Sequence, residues 1–307
     1  LVAGCALQVK PDPEPEQNPV HTAAPRPDLL GEFLRERGLL GGRELTAVKP
    51  GPGLRLRRYG QPSAQLVQEV EQSLRFKDAF RVGFSDLNQL KRFLSSDMTR
   101  NGVGSDKAEL WAKSLLHSAQ AHDLNPLVFY AVVRHESGDF RPRLQAEAAG
   151  NYLFPARRDL TGRVVDAGVF GVAQVKYDAH RQAVPWAELS LQRITGTPAN
   201  LLGAASSGDN GTVSAISLLI GAKVLKTAIS SAALEIDRRR VRGTSPAVAA
   251  LQIYNRGTLK NHDAGVRYAK RVLSRWQNVS QEAKRFVGSA AKDDEAPMRL
   301  AANARDR

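Results

Sequence analysis

The stretch "FYAVVRHESGDF", residues 129–140, puts a carboxylate where its charge is disfavoured. Asn125 and Pro126 open a helix, the first as N-cap and the second at a position that needs no amide donor. Ser137-Gly138 breaks it. On that helix Glu136 lies three, four and seven residues beyond Val133, Val132 and Phe129, so it stands on their apolar face. The negative end of the helix disfavours its anion by about 0.3–1 kcal/mol. Burial pushes the same way, whereas Arg134, Arg141 and Arg143 would oppose it if they came close. A glutamate kept protonated near neutral pH suits general acid catalysis. A lone Glu at a helix end is ordinarily solvated, so other residues must carry the reading.

Three further stretches do so. "GVFGVAQV" holds the turn Gly171-Val172-Ala173-Gln174, and "ALQIYNRG" holds Ile253-Tyr254-Asn255. Between them, "NGTVSAISLLIGAKVL" reads as a long central helix. With Glu136-Ser137 these elements stand in the order found in lytic transglycosylases with a Slt-type, lysozyme-like domain, and residues 105–275 resemble that family. The family's Leu-Met is here Val172-Ala173, its Ala before Tyr-Asn is Ile253, and the Glu136–Gln174 and Gln174–Tyr254 spacings are longer.

The resemblance implies that Glu136 acts first as acid and then as base at the bond between N-acetylmuramic acid and N-acetylglucosamine. The muramic C6 hydroxyl would attack its own anomeric carbon, so one carboxylate suffices where ordinary glycosidases use two. By the same resemblance Gln174 binds sugar N-acetyl or hydroxyl groups, and Tyr254 hydrogen-bonds near Glu136. Ser137 and Asn255 complete the substrate-binding set, and Gly171, Val172 and Ala173 form the cleft turn. No cofactor is implied.

Metal chemistry has little support. "DMTRNGVGSDKAE", from Asp97, resembles a calcium loop, but position twelve is Ala108 and Glu109 comes one place late. "RHES" lacks the second histidine of a zinc helix, which leaves His135 a helix-end residue. Trp111 and Trp276 suit a core, whereas Trp186, after Pro185, suits a cleft rim.

The positioning elements are mainly helical: a lysozyme-like domain over 85–288, a small mainly helical region over 28–84, and a charged, disordered tail over 289–307. Ser85 reads as the cap of "SDLNQLKRFLSS". "GPGLRLRRYG", 51–60, alternates like a short strand. "YLFPARRDLTGRVVDAGVF", 152–170, reads as a β-hairpin inserted at the cleft, with its turn at "DLTG". "AISLLIGAKVL" is short and carries a lysine, so no run of about 18 apolar residues marks a membrane span.

"LVAGC", ending in Cys5, resembles a bacterial lipobox, and the proline-rich 9–28 that follows reads as an extended tether. A lipid anchor on Cys5 would hold the domain at a membrane, and Ala6 rather than Asp fits the outer one. The formal net charge of +13 favours polyanionic surroundings, and no zinc-finger or basic-heptad pattern points to nucleic acid. The expected function is thus a periplasmic, outer-membrane lipoprotein acting on peptidoglycan strands. Two alternatives stand beside it. A hydrolytic muramidase would need a second carboxylate, Asp166 or Asp178. A non-catalytic wall-binding scaffold of an envelope machine, its protein partners unspecified, would need none.

Overall fold

Helix starts and stops follow local chemistry in the computed structural model, which describes residues 63–140, 153–154, 156–239, 244–259 and 262–305. Cys5, the tether and the 51–60 strand lie outside these residues. Helix α1, Ala64–Glu71, begins where the Ser63 hydroxyl accepts from the Leu66 amide, and a 3-10 segment, Phe76–Val82, follows. Helix α2, Leu87–Arg100, is capped by Asp86 rather than Ser85, because the Asp86 carboxylate accepts from the Gln89 amide at 2.7 Å. Helix α3 is Ser105–Ala121 and α4 is Pro126–Glu136. Asn125 caps α4 as expected, accepting from Leu127 at 2.9 Å, and its side-chain amide donates to Ser73.

Next come five short strands: β1 Leu153–Phe154, β2 Arg157–Arg158, β3 Val164–Asp166, β4 Val169–Phe170 and β5 Val175–Lys176. Antiparallel pairs join β2 to β3, β1 to β4, and β4 to β5. The Asp159 carboxylate closes the β2–β3 turn by accepting from the Thr161 and Arg163 amides. The remaining helices are the short α5 Tyr177–His180, then α6 Val184–Thr195, α7 Leu201–Ser207, α8 Asn210–Arg239, α9 Pro246–Arg256 and α10 His262–Arg305. The fold is mainly α.

Helix α8 forms the centre of the core. It packs on α3, α6 and α9, while α10 packs on α4 and α9. Two side chains of α3 close the α3–α8 seam: Trp111 Nε1 donates to the Gly211 carbonyl and the Ser118 hydroxyl to the Leu219 carbonyl. By length and composition α8 could cross a membrane, which reading its apolar stretch alone did not show, but 67% of its apolar window is buried by its neighbours. It is a core helix. Two expectations about boundaries change. Val70, Ala79 and Phe84 join the same core as α2–α10, so residues 63–84 are not a separate region. The chain beyond Ser289 continues α10 to Arg305 instead of being disordered.

Candidate functional site

Glu136 is the last residue of a helix whose first eight residues, Pro126 to Val133, are all buried. Its carboxyl is half-buried and faces α9 and α10. The Tyr268 hydroxyl, from α10, donates to Oε1 at 2.5 Å. Burial pushes the carboxyl above its usual range, and hydrogen bonds from Tyr268 and the Asn255 side chain pull back without overcoming it. Arg134 does not reach it: that guanidinium is engaged by Asp97, Asp139 and Glu282. Arg141 and Arg143 lie outside the described residues.

The turn after Glu136 is unusual. Gly138, Asp139 and Phe140 all have left-handed backbones, with φ of 62°, 61° and 56°. For Asp139 and Phe140 this conformation costs roughly 1–2 kcal/mol each. Phe140 is wholly buried and stacks on Tyr130, and Asp139 is gripped by Arg134 at 3.0 Å and Arg275 at 2.6 Å. These contacts hold the strained turn and so fix the end of α4. Ser137, expected to touch substrate, instead serves this turn: it is buried, and its hydroxyl donates to the Val133 carbonyl and accepts from the Phe140 amide.

Asp97, the first residue of the calcium-loop stretch, is likewise occupied. It is buried at the end of α2, where it accepts from Tyr130 at 2.8 Å and pairs with Arg100 and Arg134. Among the described residues no three His, Cys, Asp or Glu side chains gather to hold a metal.

Residues 171–174 form a turn pressed onto α8. Gly171 has φ 66°, and a Cβ there would stand 2.1 Å from the Ser217 hydroxyl. That hydroxyl accepts from the Ala173 amide and donates to Ser214. Ala173 and Val172 are fully buried. A Cβ on Gly221 would come within 2.9 Å of the Ala173 Cβ and 3.2 Å of Phe129, so the turn, α8 and α4 meet through small residues. This close approach gives Ala173 a packing reason to be small.

Tyr254 anchors the same turn, its hydroxyl donating to the Ala173 carbonyl at 2.8 Å. Its phenol is pushed up by burial first and then by the nearby Glu136 charge, which puts the tyrosine beside the carboxyl without bonding it. Gln174, also left-handed at φ 49°, turns its side-chain amide back to the Gly171 carbonyl at 2.8 Å.

Glu136, Asn255, Tyr254 and the Gly171–Gln174 turn are therefore brought together, and Ser137 stands behind them. Reading the sequence missed Tyr268. Its signal was a phenol on the apolar stripe Val266, Ala269, Val272, Leu273 of α10, where a buried polar tip requires a partner. Trp186, expected at a cleft rim, packs on His122 with ring centroids 5.3 Å apart. Compared with protein-family models, curated proteins and solved structures, the chain gives no match.

Proposed function

We propose that this chain is a peptidoglycan lytic transglycosylase of the lysozyme-like type. One observation carries the reading: a half-buried glutamate at the end of an apolar helix, its carboxyl pushed up by burial and met by Tyr268 and Asn255. Its neighbour Tyr254 ties down the turn that the motif order places at the cleft.

In this mechanism protonated Glu136 donates to the glycosidic oxygen as the muramic C1–O bond breaks. The muramic C6 oxygen bonds to C1, and its proton passes to the Glu136 carboxylate. The acid is regenerated, no water is consumed, and the product ends in a 1,6-anhydro ring. The Tyr268 hydroxyl steadies the carboxylate stage. The β1–β4 arm, as an insertion between Glu136 and the 171–174 turn, borders the cleft. Asp166 is a poor candidate for a water-activating base, because its carboxylate accepts from the Gly168 amide and faces Arg157.

Cys5 is the proposed lipid attachment point, placing the domain in the periplasm at the outer membrane. Expressed from its precursor in a Gram-negative host, the protein should fractionate with membranes, and Cys5→Ser should become soluble; equal fractionation of both would remove the anchor.

One observation favours a non-catalytic wall binder: Gln174 spends an amide donor on its own turn. Product analysis separates the readings. Sacculi digested by the protein should release muropeptides lighter by one water than hydrolytic products. Reducing ends would mean a muramidase, and wall binding without any product would mean a scaffold. Glu136→Gln keeps the shape but cannot move a proton, so turnover should fall by about 10²–10⁴ or more.

A further inference from the structure

Helix α10 does two things over about three turns. Tyr268 reaches Glu136, and the residues flanking it line a concavity of about 540 Å³. Arg267, Lys270, Arg271, Ser274, Arg275 and Asn278 line it from α10, and Arg134 of α4 and Asp139 of the turn after it complete the lining. Five of these side chains are cationic and one is acidic. The acid is already committed, since Asp139 pairs with both Arg134 and Arg275. Lys270 and Arg271 are exposed, and among the described residues neither has an ion-pair partner.

A concavity with two unneutralised cations and adjacent Ser and Asn donors suits carboxylates. The field is felt locally. His135 is lowered to about 4, by burial first and then by Arg275 and Arg271, so its ring is neutral and Nδ1 can accept from Arg275 at 3.2 Å. That ring also meets Tyr268 edge-on, with centroids 4.8 Å apart. Arg275, His135 and Tyr268 thus connect the concavity to the Glu136 carboxyl.

We propose that this basic concavity binds carboxylates of the peptide substituents carried by the glycan strand, so that the protein selects peptide-bearing over bare glycan. The proposal rests on the transglycosylase reading. The glycan lies at Glu136, and its acidic side branches reach the α10 wall. A ligand that must contact both places is a branched polymer with a neutral sugar backbone and anionic branches. A membrane surface would engage exposed cations but has no reason to meet them beside a protonated glutamate.

The test uses the folded protein and its double variant Lys270→Ala/Arg271→Ala, with two exposed positions chosen so that packing is untouched. Affinity is measured for glycan strands bearing peptides, for strands stripped of peptides by an amidase and then re-amidated at the freed lactyl carboxylates so that the backbone stays neutral, and for vesicles containing anionic phospholipid. The wild type should bind peptide-bearing strands about tenfold more tightly than bare ones, and that preference should shrink with added salt and vanish in the variant. A wild type without preference, or a variant that keeps it, would overturn the proposal. Strand-independent vesicle binding that the variant loses would overturn it too, assigning the cations to a membrane surface. Product formation is recorded separately. Absence of anhydro product from either strand removes the transglycosylase reading, and the binding ratio still decides whether the concavity reads peptides.

Discussion

Glu136 and Tyr268 are a coupled pair, and replacing each has a different consequence. The raised carboxyl favours the protonated form in the folded state, while the unfolded value is near 4.5. The folded protein therefore binds more protons, and stability falls as pH rises from about 4.5 through the higher folded value. Glu136→Gln has no such titration. Its melting temperature relative to wild type should climb across that window and level off above it; a pH-independent difference would contradict a strained carboxyl. Tyr268→Phe keeps the ring against His135 and removes the donor that steadies the anion. The Glu136 carboxyl should rise further, moving the alkaline limb of the pH–rate profile upward and lowering turnover about tenfold. A profile that stays in place would mean that Tyr268 only fills space.

At the scale of elements, the 171–174 turn and α8 depend on close approach. Gly171→Ala places a Cβ against both Ser217 side-chain atoms, Oγ at 2.1 Å and Cβ at 2.2 Å, on a left-handed backbone. Ser217 sits inside α8 and cannot yield without moving the helix. Overpacking and backbone strain together should cost about 3 kcal/mol or more. Gly257→Ala, with the same handedness at φ 69° but nothing within 4 Å, should cost only about 1–2 kcal/mol. Urea unfolding of both variants checks the contrast, and equal losses would show that handedness alone matters.

Across the molecule, one buried charge links three helices. Asp97 of α2 accepts from Tyr130 and pairs with Arg134, both on α4, and Arg134 in turn pairs with Glu282 of α10. Burial opposes the Arg134 charge, but Asp97, Tyr130 and Glu282 outweigh it and hold the guanidinium further above its usual value. Removing the central carboxylate leaves a mostly buried cation short of a partner. Asp97→Ala should lose about 3–5 kcal/mol, and the strained 138–140 turn should loosen with it. Hydrogen exchange at Asp139 and Phe140 reads the second effect, while Asp86→Ala, at an exposed cap, should leave both amides unchanged.

The sequence alone determined what short-range chemistry fixes. Asn125-Pro126 opens α4, the i, i+3, i+4, i+7 spacing puts Glu136 on an apolar face, and Asp159 with Gly162 closes a turn. These depend on neighbours within one or two turns of chain. It also brought Glu136, the 171–174 turn and Tyr254-Asn255 into one set, though only by their order. What those side chains bond to was decided by tertiary structure. Ser137, expected to touch substrate, is consumed by its own turn, and Tyr254, expected to hydrogen-bond near Glu136, does so to the Ala173 carbonyl. Tyr268 lies 132 residues from the carboxyl that it meets. The same holds for α8, whose composition suits a membrane as well as a core. Periodicity reports which face of a helix is apolar; only the packing of α3, α6 and α9 around it determines what that face is buried against.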